Sequence, residues 1–211
     1  MAQILSFIWY YLIPYRKKVV IANLRHAFQK SKNEKEIRTI TKQCMKHLSM
    51  TMLESLSLIR FTKENYHKTI TFINEQYLYD TLQKNKGVFI LSAHIGNWEL
   101  MAYATALSGI NASAIVREFS NKSFHDFYMN LRKKSGLELI GAKNSMKQIL
   151  HALKQNRVIG VLLDQHVIKE KGVIVNFFSQ PVSTMHFLAV LAERTDTIII
   201  PARDIRDSHG K

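Results

Sequence analysis

Apolar and polar positions alternate along this chain in two periods, and the change between them outlines the fold. Glu34 to Leu56 places Ile37, Ile40, Cys44, Leu48, Met52 and Leu56 three and four residues apart, with Lys35, Arg38, Lys42 and Lys46 between them. That spacing predicts a long helix with a core-packed stripe and a solvated basic face, capped by Asn33 or Ser31. Residues 61–86 read as a connector with a short helix around Asn74 to Gln83. From Gly87 the pattern becomes short branched apolar runs separated by helical segments. Val88 to Leu91, Asn111 to Val116, Val158 to Leu163, Val173 to Phe177 and Thr197 to Ile200 read as strands. Asn121 to Lys134, Ser145 to Gln155 and Ser183 to Arg194 read as helices, the first stopped by Gly136. Strand–helix alternation of this kind predicts an α/β fold with a mostly parallel sheet flanked by helices.

Ligands of such sheets bind beyond the carboxyl ends of the strands. His94, Arg117 and Asp164 each follow a strand, so all three are expected on one rim. His94 lies in the run GVFILSAHIGNWEL, on a strand-to-helix turn in which Asn97 suits a helix N-cap and Glu99 falls in the first helical turn. With the histidine outside the helix, the chain can bend to bring imidazole and carboxylate together. A carboxylate on one ring nitrogen would set the tautomer and leave the other to take a proton from a hydroxyl. The same spacing also fits a capping Glu99 and a packed His94.

Length and charge narrow the partners. At 211 residues the chain has room for one sizeable core, and its single cysteine, Cys44, excludes a disulfide framework. The net charge is +14, and residues 1–70 hold 13 Lys/Arg against 4 Asp/Glu. Such a front end favours an anionic surface, and no nucleic-acid-binding signature accompanies it. Residues 4–13, ILSFIWYYLI, are apolar and aromatic and lead into Pro14 and Arg16-Lys17-Lys18. A bilayer span takes about 20 residues, so residues 1–30 read as an interfacial membrane-associating segment, with a buried helix start as the alternative.

The words around the histidine carry a resemblance. His94, Gly96, Asn97, Trp98 and Glu99 after an apolar strand resemble the HxxxxE signature of the bacterial lipid A late acyltransferases, the lauroyl/myristoyl transferase family. Further matches run through Tyr15 to Phe28, Glu54 (without an evident role), Arg117 with Asn121, Arg132 and Gly136, Asp164-Gln165, and Arg206 to Gly210. The resemblance implies a glycerolipid-acyltransferase-like domain over 31–211, with the family's closing C-terminal part missing. It implies acyl transfer from acyl carrier protein to a lipid A precursor at the cytoplasmic face of the cell inner membrane, without metal or cofactor. His94 would be the general base and Glu99 its orienting carboxylate. Asn97, Arg117, Asn121, Arg132, Asp164 and Gln165 would contact substrate. Val175 to Phe178, Ser183-Thr184, Leu191-Ala192 and Ile200-Pro201 would wall an acyl pocket. Another glycolipid or a lysophospholipid as acceptor, or an inactive membrane-binding remnant, are the alternatives.

Overall fold

The computed structural model describes residues 1–143 and 145–207. The sequence reading at Arg206 to Gly210 lies partly outside these residues. The chain begins with α1 (Ala2–Phe7), a single π-helical turn (Ile8–Leu12), α2 (Lys17–Phe28) and α3 (Glu34–Ser57). Asn33 caps α3 in both directions: its side chain accepts from the Glu36 N–H, and the Glu36 carboxylate accepts from the Asn33 N–H. That backbone bond, helped by Lys32, holds the Glu36 carboxyl below its ordinary range. Its contribution is therefore present at neutral pH and lost as pH falls through the lowered value.

The long helix does not bury the expected stripe throughout. Its first half buries Ile37, Thr41 and Met45, with α1 and the π-turn packed along it. Farther on, Thr51 and Ser55 turn inward while Leu48, Met52 and Leu56 stay exposed, and Cys44 is exposed as well. The periodicity was sound for a helix, but what covers each turn depends on neighbours remote in sequence. No helix of the described residues is long and apolar enough to cross a membrane.

After α4 (Gln76–Leu82) the α/β part runs β1 (Val88–Ser92), α5 (Trp98–Leu107), β2 (Ala112–Val116), α6 (Lys122–Lys133) and β3 (Glu138–Gly141). It continues with α7 (Met146–Lys154), β4 (Val158–Leu162), β5 (Gly172–Phe177), β6 (Gln180–Met185), α8 (Phe187–Thr195) and β7 (Ile198–Pro201). Five strands form one parallel sheet in the order β3-β2-β4-β1-β7, and β5 and β6 form a separate antiparallel hairpin. The expected parallel sheet is present. Two strands escaped the sequence reading. Of these β3 is short and half polar, and β6 begins Gln180-Pro181 and occupies the start of the expected helix over Ser183 to Arg194.

Chain direction explains how both faces are covered. From β1 the chain crosses β4 to reach β2, and from β4 it crosses β1 to reach β7. Right-handed crossovers in opposite directions place their helices on opposite faces. One face packs Phe89, Ile159 and Val161 against Ile149 and Leu153 of α7 and Leu188 and Leu191 of α8. The other carries α5 and α6, where Tyr103, Leu107 and Leu131 enclose Leu58 at the end of α3. Phe89, fully enclosed on a central strand, should dominate stability. Phe89→Ala is expected to cost about 3–5 kcal/mol in urea unfolding, against about 1 kcal/mol for Asn33→Ala, which removes only a helix cap.

Candidate active site

Two adjacent strands bring the first pair of side chains together. Parallel register sets Ser92 of β1 opposite Leu162 of β4, so positions two residues beyond each, His94 and Asp164, emerge side by side. Asp164 grips the histidine twice. Its Oδ2 accepts the His94 backbone N–H at 2.9 Å, and its Oδ1 lies 2.7 Å from His94 Nδ1. A carboxylate can only accept here, so the proton of this contact belongs to Nδ1 and Nε2 is left as the basic nitrogen. Gln165 Nε2 lies 3.4 Å from that Nε2. The pair is open to solvent, with 31% of the His94 side chain and 37% of Asp164 exposed. It also stands where the chain departs from β1 and β4 in opposite directions, the position at which such sheets open a crevice.

Glu99 has other partners. Its carboxylate takes a two-pronged bond from Arg132, Nε to Oε2 at 2.8 Å and Nη2 to Oε1 at 2.5 Å, with only 10% and 13% of the two side chains exposed. Trp98 Nε1 donates to the same Oε1 at 3.1 Å, and the Trp98 ring meets His94 edge-on with centroids 4.8 Å apart. The expected His94–Glu99 pair is thus divided: Asp164 holds the histidine, and Glu99 holds Arg132. The reason is directional. Glu99 on the first turn of α5 points toward α6, where a guanidinium fork can satisfy both its oxygens. Beyond β1, the chain leaving β4 lies beside His94 and supplies Asp164. Arg132 also lies over Tyr128, 4.7 Å from the ring centroid. Burial pushes the Tyr128 phenol up, the Glu99 charge adds to this, and a bond to Ser55 opposes it.

The remaining expected contacts separate in the same way. Asn97 is sealed, 1% exposed, with Oδ1 accepting the Leu100 N–H to cap α5 and Nδ2 donating to Glu54. Both ends of its amide are therefore engaged within the framework of the turn. Asn121 caps α6 through the Phe124 N–H but remains exposed. Arg117 is exposed just past β2 on the same rim. The expected acyl wall does not form as one surface: Val175, Phe177 and Phe178 lie exposed on the hairpin, whereas Leu191 is buried in the sheet core.

A polar clamp behind the turn was missed. Thr51 donates to the Gly96 carbonyl at 2.9 Å, and the Asn97 N–H donates to Asp204 Oδ2 at 2.7 Å. Arg206 reaches Glu54 through Nε at 3.1 Å and Nη2 at 2.6 Å, and Nη2 also contacts Thr51. Glu54 therefore ties α3 to the His94 turn and to the segment after β7. Its place in the sequence resemblance was the available signal. Gly96 has φ +65, and a Cβ there would stand 2.6 Å from the Asp204 carbonyl, so the tight approach requires glycine. Among the described residues no group of three or more His, Cys, Asp or Glu is placed to hold a metal ion. Glu54→Ala strands the Asn97 amide and the Arg206 guanidinium. It should cost about 1–3 kcal/mol in thermal unfolding, while Gly96→Ala should additionally displace His94.

A basic imidazole held by a carboxylate at a solvent-open crevice suits proton removal from a hydroxyl. A comparison with curated proteins found no match. The family model described as bacterial lipid A biosynthesis acyltransferase matches residues 4–211. With nearly its full length covered, the chain belongs to the bacterial lipid A biosynthesis acyltransferase family and is an acyltransferase.

Proposed function

We propose that the chain moves a fatty acyl group from acyl carrier protein to a hydroxyl of a Kdo-lipid A precursor, at the cytoplasmic face of the inner membrane. The observation that carries the chemical part is the 2.7 Å contact from His94 Nδ1 to Asp164, which directs a basic Nε2 to the crevice. In this reading the acceptor is the 3-hydroxyl of an acyl chain already on the glucosamine disaccharide. Nε2 removes the hydroxyl proton as the oxygen attacks the thioester carbonyl carbon. The tetrahedral intermediate collapses by breaking the carbon–sulfur bond, and the imidazolium returns its proton to the departing thiolate. Asp164 keeps the ring oriented and stabilises its protonated form, the role first expected of Glu99.

Glu99 instead fixes Arg132. The Nε and Nη2 of that arginine are engaged, which leaves Nη1 able to face an anionic group. Arg132 and the exposed Arg117 are suited to a phosphate or a Kdo carboxylate, since a guanidinium presents a planar fork of donors. Gln165, beside Nε2, is placed to contact the acceptor hydroxyl.

Steady-state transfer from purified acyl carrier to a precursor in detergent micelles tests these roles. His94→Ala should lose about 10²–10⁴-fold in kcat. Asp164→Asn should lower kcat by about 10²-fold with KM little changed. Glu99→Gln should act mainly on stability and on KM for the phosphorylated acceptor. A Glu99→Gln protein crippled in kcat beside a normal Asp164→Asn would return the orienting role to Glu99. Full activity in His94→Ala would end the proposal.

A further inference from the structure

The β5–β6 hairpin has no evident work inside the protein. Val173, Ile174, Val175, Phe177 and Phe178 are all exposed, Phe177 by 63%. Successive strand residues point to opposite faces, so β5 is uncovered on both sides, while β6 is half-buried and encloses Ser183 toward the base. Residues 172–185 contain no charged side chain. A ribbon standing in water normally keeps at least one face polar, and contiguous exposed apolar surface marks an interaction site. The tip strengthens the point. Phe178 and Ser179 have φ of 50 and 60, a turn whose positions favour Asn, Asp and Gly. A bulky aromatic is held there against the local backbone preference.

Both ends of the hairpin adjoin features already described. At the base, His166 pairs with Thr184, two residues past Asp164. At the tip, the Phe178 ring lies 6.1 Å from Phe28 at the end of α2. The segment that includes α2 is cationic: residues 1–33 hold six Lys/Arg and no Asp or Glu. It also exposes Tyr11, Leu12, Ile13, Tyr15 and Val19.

We infer that the β5–β6 hairpin is a membrane finger, its apolar tip entering a bilayer surface rich in anionic phospholipid beside the cationic N-terminal segment. Uncharged aromatic side chains next to a basic, acid-free stretch match the apolar and anionic layers of such a surface. A second copy of the chain fits worse, because it would oppose two cationic segments on proteins of net charge +14. The finger joins the membrane to the rim that holds His94 and Asp164, which deepens the proposed function by bringing that rim to its lipid acceptor.

The test uses the full chain with Cys44→Ser as background and Phe177→Cys carrying a single nitrobenzoxadiazole label. Adding phosphatidylglycerol-containing vesicles should raise and blue-shift its emission, and phosphatidylcholine alone should do so weakly. A label at Gln155, before β4 at the opposite end of the strand, should not respond. Phe178→Asn suits the turn, so it should keep or raise the melting temperature while weakening vesicle affinity about tenfold. A silent label on vesicle-bound protein, or unchanged affinity in Phe178→Asn, overturns the finger. So does the absence of vesicle binding, or self-association in sedimentation that shifts the label without lipid. Acyl transfer in detergent micelles, measured on the same proteins, shows separately whether the catalytic reading stands.

Discussion

Everything at the rim that carries His94 depends on the parallel pairing of β1 with β4. Parallel strands end at the same level, so two side chains equally far past their strands become neighbours without any local sequence relationship. His94 and Asp164 are 70 residues apart and yet share a 2.7 Å contact, because Ser92 faces Leu162 in the ladder. The backbone bond from His94 to the other Asp164 oxygen then fixes the residue at its main chain as well as its ring. Crossovers leaving these strands in opposite directions keep helices from closing over them, and the crevice remains open to solvent.

Around this contact lie two supports made of different physics. In front, Trp98, Glu99, Arg132 and Tyr128 form a nearly enclosed arrangement in which a carboxylate and a guanidinium satisfy one another. Enclosure makes that pair a rigid fixture rather than a pair of mobile charges, since separating it would leave each ion buried without compensation. Behind, Thr51, Glu54, Asp204 and Arg206 hold the Gly96–Asn97 turn from below. One support fixes the Arg132 guanidinium, and the other fixes where the imidazole stands. Three separated parts of the chain, α3, α6 and the segment after β7, must therefore be folded before the site exists.

The N-terminal part and the hairpin show the opposite economy. Tyr10 packs inward, but Tyr11, Leu12, Ile13 and Tyr15, and on the hairpin Val173 to Val175, Phe177 and Phe178, face outward, although buried positions elsewhere are filled by small and polar groups such as Thr41, Ser49 and Ser55 on α3. Each of those hydroxyls donates to the carbonyl four residues earlier in its own helix, so burial leaves none of them unsatisfied. Part of the hydrophobic content of these regions is thus exposed rather than buried in the core. That arrangement accords with a family whose acceptor is a lipid.

The sequence by itself determined the strands β1, β2, β4, β5 and β7, the helices α3 to α8 apart from the start of α8, and the parallel α/β architecture, but not α2. Apolar period and helix caps are local properties, expressed wherever the segment lies. It likewise placed His94, Arg117 and Asp164 on one rim, because a residue following a strand in such a sheet has few other places to go. Only the tertiary structure decided that Asp164 rather than Glu99 grips the histidine, that Asn97 is sealed, and that Glu54 braces the turn. Those choices depend on strand order, register and the direction in which a helix presents each side chain, all of which involve residues tens of positions apart. Spacing within a motif limits which groups can meet, and packing between elements selects the ones that do.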